Sequence, residues 1–467
     1  MRVLGTVLLA TLLAAIPFAR IARADEPLSL AEAVRQTLAA NLELATERQA
    51  LAAVREDIGL ARSSLLPRAD FGARAEHLDT RRTGPAGDRN IDSFLVGAQL
   101  TQSVYDEDSW AGFTSQKFVY QSQVQEYEAF QLGIVQQAAT AFLDHDRAQE
   151  TALIQLSNRE LTRKNVETSR ARIAAGWSSE REVLRWESQL AQNDAQVRAA
   201  RVAILQSQYA LNRLRSRPPE TLLPTAATTI GEYGFVYART RITDALVVPD
   251  QDRRMRDFLV RLGLRRSPDL AGLDASIAAA ERQWTASRRA FYVPSLDFGA
   301  GVDDLSNDAS GTNVDGREWF IEGVLRFPIF EGGAKVARFE QTRAILASLR
   351  TERRATAQAV EETIRSSFAQ ATGSFDTVGF ARRSAEAAQR NYELVNAAYV
   401  LGVASILDLL DAQEQQLAAE LARVDANYDF LQDLIDAEQA LSFYAFLVAP
   451  TEVEPLLDAL EQQLALP

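Results

Sequence analysis

No cysteine occurs anywhere in the chain, so neither a disulfide framework nor a lipid-modified N-terminal cysteine is available to it. With only His77 and His145 for imidazole ligands, a zinc site would have to be built almost wholly from carboxylates, which suit harder ions. No metal site and no cofactor is expected. A glycine-rich phosphate loop followed by Lys is absent, as is a Gly-x-Ser-x-Gly elbow, so nucleotide and acyl-transfer chemistry lack their usual parts and the chain does not read as an enzyme. Proline is sparse at 14 of 467 residues, glycine stands at 23 and aromatics at 8%, while Ala, Leu, Gln, Glu and Arg run for tens of residues without a break. That composition favours long helices over a strand-rich sandwich.

Positive charge is also short. The formal net charge is −13, and no basic patch with interleaved aromatics occurs, which argues against a nucleic-acid partner. Arg81, Arg82 and Arg89 fall in a Gly- and Asp-rich stretch and read as a solvated loop face. After the first residues no segment reaches the ~18 uninterrupted apolar residues that a helical membrane span needs, which leaves a closed barrel as the only spanning solution.

What is present begins with Arg2, an apolar run from Val3 to Phe18 and Ala22-Arg23-Ala24, the grammar of a secretory signal peptide over residues 1–24. Its removal takes away three Arg and no acid, making the mature chain more acidic still.

The remainder is written twice. Leu66-Pro67-Arg68-Ala69-Asp70-Phe71-Gly72-Ala73 returns as Val293-Pro294-Ser295-Leu296-Asp297-Phe298-Gly299-Ala300; Leu100 to Tyr105 lines up with Leu325 to Phe330, and Ala175-Gly176 with Leu401-Gly402. A period of roughly 220 residues is a duplication, since solenoid units run about 20–50. The repeats are expected over 25–250 and 251–467. Each opens with a helix, Leu28 to Ser64 or Asp257 to Phe291, ended by Pro67 or Pro294 because the residue before proline is pushed out of the helical region.

A hairpin follows in each half, over 69–105 and 295–330. Ala69, Phe71, Ala73 and Ala75 alternate with Asp70, Arg74 and Glu76; Phe94, Val96, Ala98 and Leu100 alternate with Ser93, Gln99 and Thr101. In the second half Leu296, Phe298, Ala300 and Val302 oppose Asp297 and Asp303, and Trp319, Ile321, Leu325 and Phe327 oppose Glu322 and Arg326. The pattern suits a wall with lipid on one side and water on the other, and equally a soluble hairpin. The export signal, strands of about 10 residues and long polar loops favour the wall. Four strands cannot close a membrane barrel, for which ~8 are the minimum, so several copies must pool them.

Beyond each hairpin a helical hairpin is expected, over 109–215 and 334–448, turning near Gly176 and Gly402. Sixty-odd residues at 1.5 Å each make a rod of ~100 Å. On the first return helix Leu184, Leu190, Val197, Ile204 and Leu211 recur at close to seven, a coiled-coil seam.

These marks resemble the TolC-like outer membrane efflux proteins. The resemblance rests on Leu28-Ser29-Leu30-Ala31-Glu32-Ala33 with Asn41 beyond it, Leu66-Pro67 and Val293-Pro294, Phe327-Pro328-Ile329-Phe330-Glu331-Gly332-Gly333, and Tyr399-Val400-Leu401-Gly402. It covers nearly the whole mature chain. It implies a mainly α fold with a membrane β-barrel contribution: a homotrimer with a twelve-stranded barrel in outer-membrane lipid, a tunnel of twelve long helices across the periplasm, and an equatorial belt built from 217–249 and the tail after Pro450. It also implies a passive duct fed by an inner-membrane pump of the RND or ABC type through a periplasmic adaptor. The alternative is a trimeric coiled-coil structural or adhesive surface protein, which has no need of matched hairpins.

Ile406-Leu407-Asp408-Leu409-Leu410-Asp411-Ala412 corresponds to the stretch whose aspartates ring the periplasmic aperture in that family. Asp408 and Asp411 at i and i+3 share a helix face, so three copies would bring six carboxylates together. Like charges ~6 Å apart repel by about 0.7 kcal/mol in water, enough to favour cations over anions. The competing reading is two solvated surface acids. Ala404 stands where the family often carries a basic residue that ties neighbouring helices; Glu182 is the first-half counterpart of Asp408, and Tyr399 is the candidate for a different tie. The tips Gly176-Trp177-Ser178-Ser179 and Gly402-Val403-Ala404-Ser405 are the expected adaptor-docking surface, being farthest from the strands.

Overall fold

The computed structural model describes residues 27–77, 82–84, 87–89, 92–174, 176, 179–226, 237, 249–308 and 316–464. The expected leader 1–24, Arg81, Trp177, Ser178 and most of the segment 217–249 lie outside the described residues.

Where one opening helix is expected, there are two, α1 (Leu30–Ala40) and α2 (Leu42–Ser63). The break is Asn41, whose backbone is extended (φ −63°, ψ 127°). Its side-chain oxygen accepts the Leu44 N–H at 2.9 Å and its amide donates to the Leu214 carbonyl at 3.1 Å, so a buried Asn caps one helix and tethers another. The second half breaks in the same way. After the long helices described below, α5 (Pro249–Arg266) precedes α6 (Pro268–Arg289), with Ser267 accepting from Leu270 N–H and Pro268 opening α6 without a donor to satisfy. The expected single helix from Asp257 to Phe291 therefore starts earlier, stops at Arg289 and is interrupted.

The strands are β1 (Arg68–His77), a short ribbon of β2 (Arg82–Gly84) and β3 (Gly87–Arg89), β4 (Asp92–Tyr105), β5 (Ser295–Asp308) and β6 (Gly316–Arg326). The main sheet is antiparallel in the order β1-β4-β5-β6, so the two hairpins meet through β4 and β5. Register aligns the apolar face across all four strands. Phe71 pairs Ala98, Ala98 pairs Val302 and Val302 pairs Trp319; in the next row Ala69, Leu100, Ala300 and Ile321 align. Side chains alternate with period two, so this register places every apolar row on one surface. That surface is uncovered, with Phe71 76% and Trp319 74% exposed. The opposite face carries Asp70, Gln99, Asp297, Asp303 and Glu322. There Gly301 makes room for Phe320 across the ladder, whose ring would lie 2.5 Å from an added Cβ. Among the described residues strands β1 and β6 are each paired on one side only, leaving two open edges in the main sheet.

The rods are α3 (Glu107–Ala174, 68 residues), α4 (Glu180–Leu214, 35), α7 (Ala334–Val400, 67) and α8 (Ile406–Ala440, 35), followed by α9 (Pro450–Leu464). At 1.5 Å per residue α3 and α7 are each ~100 Å long. Helix α3 packs on α6 near the sheet and on α4 toward its far end, and α7 packs on α6 and then on α8. Around the middle, α1, α5 and α9 cover two apolar cores. Met255, Leu259, Phe368 and Phe430 fill one; Leu30, Val34, Phe142 and Leu211 fill the other. His145 is a core residue of this belt, bonded to Ser207 Oγ at 2.9 Å, and burial holds its pKa below the ordinary imidazole value.

Helix α8 ends at Ala440 and not at the expected Val448. Ser442 adopts φ 53° and the buried Glu438 carboxyl accepts the Ala445 N–H at 3.2 Å, turning the chain into a 3-10 turn over Ala445–Leu447. Burial raises the Glu438 pKa well above the usual carboxylate range. The α4 seam also differs at its start. Val183 and Trp186 are buried and Leu184 is exposed, so the heptad runs Val183-Leu190-Val197 with Trp186-Asn193-Ala200 between.

Candidate functional site

Both long hairpins reverse on a glycine with φ +78°, Gly176 and Gly402, a conformation that L side chains adopt only under strain. Nothing lies within 4 Å of a Cβ added at either, so backbone conformation and not space selects glycine here. At the second turn the Gly402 N–H donates to the Tyr399 carbonyl and the Val403 N–H to the Ala398 carbonyl, closing the end of α7.

Helix α8 then starts with a capping box. The Asp408 N–H donates to Ser405 Oγ at 3.3 Å, while the Asp408 carboxylate accepts the Ser405 N–H at 2.9 Å and its hydroxyl at 2.8 Å. The hydroxyl first and the N–H second hold the Asp408 pKa below the usual carboxylate value. Asp411, one turn on, is exposed and accepts a bond from Gln415 at 2.7 Å. Between and beyond them Leu409 and Ala412 are buried, so both carboxylates lie on the face of α8 turned away from its own core. At the first tip Ser179 is the N-cap of α4 without a side-chain cap bond, although the Glu182 N–H reaches the Ser179 carbonyl at 3.0 Å.

Tyr399 ties the two tips together. Its side chain is buried, and its hydroxyl donates to the Glu182 carboxylate at 3.2 Å. Arg172, near the end of α3, donates to the Tyr399 carbonyl at 3.0 Å and lays its guanidinium 4.5 Å from the centre of the Tyr399 ring. One residue of α7 thus holds α3 and α4 at once. Beneath it Val166, Trp186, Tyr392, Ile406, Leu409 and Ala412 form a local core, against which Ala404 is half-buried. A polar layer follows: Gln413 donates to Asn158 Oδ1 at 2.8 Å and to Thr162 Oγ at 2.7 Å, and Asn193 donates to the same hydroxyl at 2.8 Å. A buried, bonded layer of this kind fixes the axial register of α3, α4 and α8.

The structure therefore gathers Tyr399 with Glu182, and Asp408 with Asp411, at one end of the rods. Ala404 is separated from its neighbours by being a packing residue. Val400, Leu401, Val403 and Leu407 are exposed, Val403 to 82%, and form an apolar patch beside the Gly402 turn. Arg172 escapes the sequence reading because a basic residue in the last turn of a helix is an ordinary complement to the helix dipole. Among the described residues no group of three or more His, Asp or Glu side chains could hold a metal ion, and no helix is long and apolar enough to cross a membrane.

The family model for outer membrane efflux proteins matches twice, over residues 33–215 and 259–442. Outer membrane protein TolC of Escherichia coli (strain K12) is 23% identical over 424 residues, 88% of this chain and 82% of TolC. Pyoverdine export outer membrane protein OpmQ of Pseudomonas aeruginosa is 27% identical over 365 residues, 75% of this chain and 70% of OpmQ. The fold is that of the Campylobacter jejuni CmeC outer membrane channel, with a TM-score of 0.71 at 17% identity over 93% of this chain and 89% of CmeC.

Proposed function

Because the chain belongs to the outer membrane efflux protein family, we propose that it is a passive exit channel of the outer membrane, assembled from three copies and serving a periplasmic adaptor and an RND or ABC pump. The observation that carries this reading is the sheet: four strands with one apolar face in register, open at both edges, standing at one end of ~100 Å rods. Open edges of a membrane-facing sheet must find partners, and β6 of one copy against β1 of the next would close twelve strands. The apolar face then meets lipid and the Asp- and Glu-bearing face lines water. The leader 1–24 would direct export, and repeats over 25–250 and 251–467 would each supply half of a protomer's wall. Energy for transport comes from the pump. Conductance of the purified oligomer in a planar bilayer tests the reading.

The far ends of the rods are then the periplasmic gate and the adaptor site. The aperture would be ringed by Asp408 and Asp411. The resting state would be held by Tyr399, through its bonds to Glu182 and Arg172, in place of the basic residue replaced by Ala404. Each link is partly solvated and worth about 1 kcal/mol, roughly five-fold in an equilibrium. Tyr399→Phe and Arg172→Gln are each expected to raise the resting conductance several-fold, and the double variant more. Single-channel recordings of the double variant at the wild-type conductance would remove Tyr399 from the gate.

A further inference from the structure

After α4 the chain crosses the belt as a strap, residues 217–226. Asn212 of α4 donates to the Pro219 and Thr221 carbonyls at 2.9 and 2.8 Å, and Leu223 is buried in the core that holds Leu30, Phe142 and Leu211. The strap also pins the segment before α1: the Leu28 N–H donates to the Pro224 carbonyl at 2.8 Å, and the Ala226 N–H to the Leu28 carbonyl at 3.0 Å. Between the strap and the helices sits His145 of α3, 1% exposed.

The bonds around the ring decide which nitrogen carries its proton. Ser207 of α4 donates its hydroxyl to the Ile204 carbonyl at 3.0 Å, so its oxygen, 2.9 Å from Nδ1, is left to accept. Nδ1 is therefore the donor, and the bare Nε2 accepts an N–H of the Gln149 amide at 2.7 Å. The same amide nitrogen reaches the Leu223 carbonyl at 3.4 Å. That contact fixes the amide's orientation, because turned over it would set oxygen against oxygen. The run of bonds from Ile204 through Ser207, His145 and Gln149 to the strap is complete only with a neutral imidazole.

A proton on Nε2 breaks that run. Two N–H groups then face each other, and Gln149 must swing away or turn over; either way it gives up Leu223 and leaves that carbonyl only the 3.4 Å approach of Nε2 itself. We propose that His145 is an acid-released latch: neutral, it fastens the strap to α3 and α4, and protonated, it frees the strap together with the Leu28 segment. Of the neighbouring charges, Asp146 favours the imidazolium, but its carboxylate already accepts from Tyr428 of α8 at 3.0 Å and from Thr225 of the strap at 3.1 Å. Glu150, one turn on and bonded by Arg423, acts on Tyr428. From α4 and the strap the ring meets only neutral groups, the Ser207 hydroxyl and the Ile204 and Leu223 carbonyls. Burial outweighs Asp146 and holds the ring's pKa below the ordinary imidazole value of about 6.5. A base whose folded pKa is lowered contributes stability that is complete above about 6.5 and is lost as pH falls below it, because the released form takes up the proton first. One linked proton allows at most about a ten-fold rise in the released fraction per pH unit. The latch belongs to the belt and does not depend on the channel reading.

The test exploits the absence of native cysteine. Leu223→Cys places a thiol at the buried position of the strap, and Leu222→Cys, at a position 82% exposed, supplies the reference. Each full-length protein is purified in detergent and labelled with an uncharged disulfide reagent that reacts at acid pH. The ratio of the two rates at a given pH removes the pH dependence of the thiol chemistry and reports release of the strap. Between about pH 7.5 and about pH 5 the ratio is expected to rise several-fold with His145 present, no more steeply than one proton allows, and to stay flat in His145→Gln. Gln149→Glu offers Nε2 an acceptor that bonds the imidazolium, so it should abolish or reverse the rise. A ratio that does not change with pH while His145 is present overturns the latch. An equal rise in His145→Gln also overturns it and passes the effect to Asp146 or another acid. If His145→Gln does not assemble, Gln149→Glu decides, and an undiminished rise there overturns the latch as well.

Discussion

Tryptophan at both Gly176 and Gly402 is expected to abolish efflux while leaving the protein assembled in the outer membrane. Each position is a helix-reversing turn with open space around it, so bulk meets solvent and not core. The backbone strain of a side chain at φ +78° is about 1–2 kcal/mol per site, confined to the turn. The apolar patch of Val400, Leu401 and Val403 beside Gly402 is the surface a docking helix would cover, and a rigid indole there would hold that partner off. The matched control is Gly176→Ala with Gly402→Ala, which carries the same strain without the bulk and should retain most efflux. Drug accumulation in cells with a cognate pump, read beside oligomer abundance in the outer membrane, gives the result. Normal efflux by the tryptophan pair would mean that the tips are not the docking surface.

Replacing Asp408 and Asp411 with Ala is expected to lower cation selectivity several-fold and to relieve block by divalent cations from the periplasmic side. In the proposed trimer six carboxylates would meet at one constriction, and like charges ~6 Å apart interact by about 0.7 kcal/mol in water and by more where water is scarce. The two positions are not equivalent. Asp408 is the N3 member of the capping box, so Ala there removes the carboxylate's bonds to the Ser405 N–H and hydroxyl as well as a charge. Asp408→Asn with Asp411→Asn removes the charges while keeping an acceptor for Ser405, and it should reproduce the lost selectivity. Acid should act in the same direction. The Asp408 pKa is depressed in the folded chain, so its charge and its share of the cap are present at neutral pH and are lost as pH falls through that lowered value, below the usual carboxylate range. Unchanged ion preference and unchanged divalent block in both pairs would make these acids ordinary surface residues. Because the duct is passive, transport itself need not fall.

The sheet was the most legible part of the fold. Its faces could be written from Phe71, Ala98, Val302 and Trp319 because a strand has a strict period of two and register then aligns what alternation marks. The turns at Gly176 and Gly402 were legible for the same kind of reason, a backbone conformation that one residue type accepts most readily. Helix interruptions were not. Asn41 and Ser267 sit inside continuous amphipathic patterns; their cap bonds are local, Ser267 with Pro268 behind it, while the tether from Asn41 to Leu214 across the belt is tertiary. The end of α8 was hidden because Leu441 to Val448 continue apolar without Gly or Pro, and a buried Glu438 stops the helix. In the candidate gate, Asp408 and Asp411 stood out from the family resemblance and their spacing, and Tyr399 as a candidate tie, but nothing in the sequence paired Tyr399 with Glu182. Arg172 carried no mark in the sequence, since its role depends on a ring and a carbonyl brought to it from 227 residues away. The coiled-coil surface-protein alternative is left without a use for a four-stranded sheet whose apolar face is uncovered.

The most direct measurement is electrical. Purified from detergent-solubilised outer membranes, sized by mass and added to a planar lipid bilayer, the protein is predicted to run as a trimer and to insert as a stable, cation-preferring channel whose conductance rises in the Tyr399→Phe, Arg172→Gln variant. A monomer in detergent that leaves the bilayer non-conducting would contradict the account at its centre, because four strands with two open edges would then have closed on nothing.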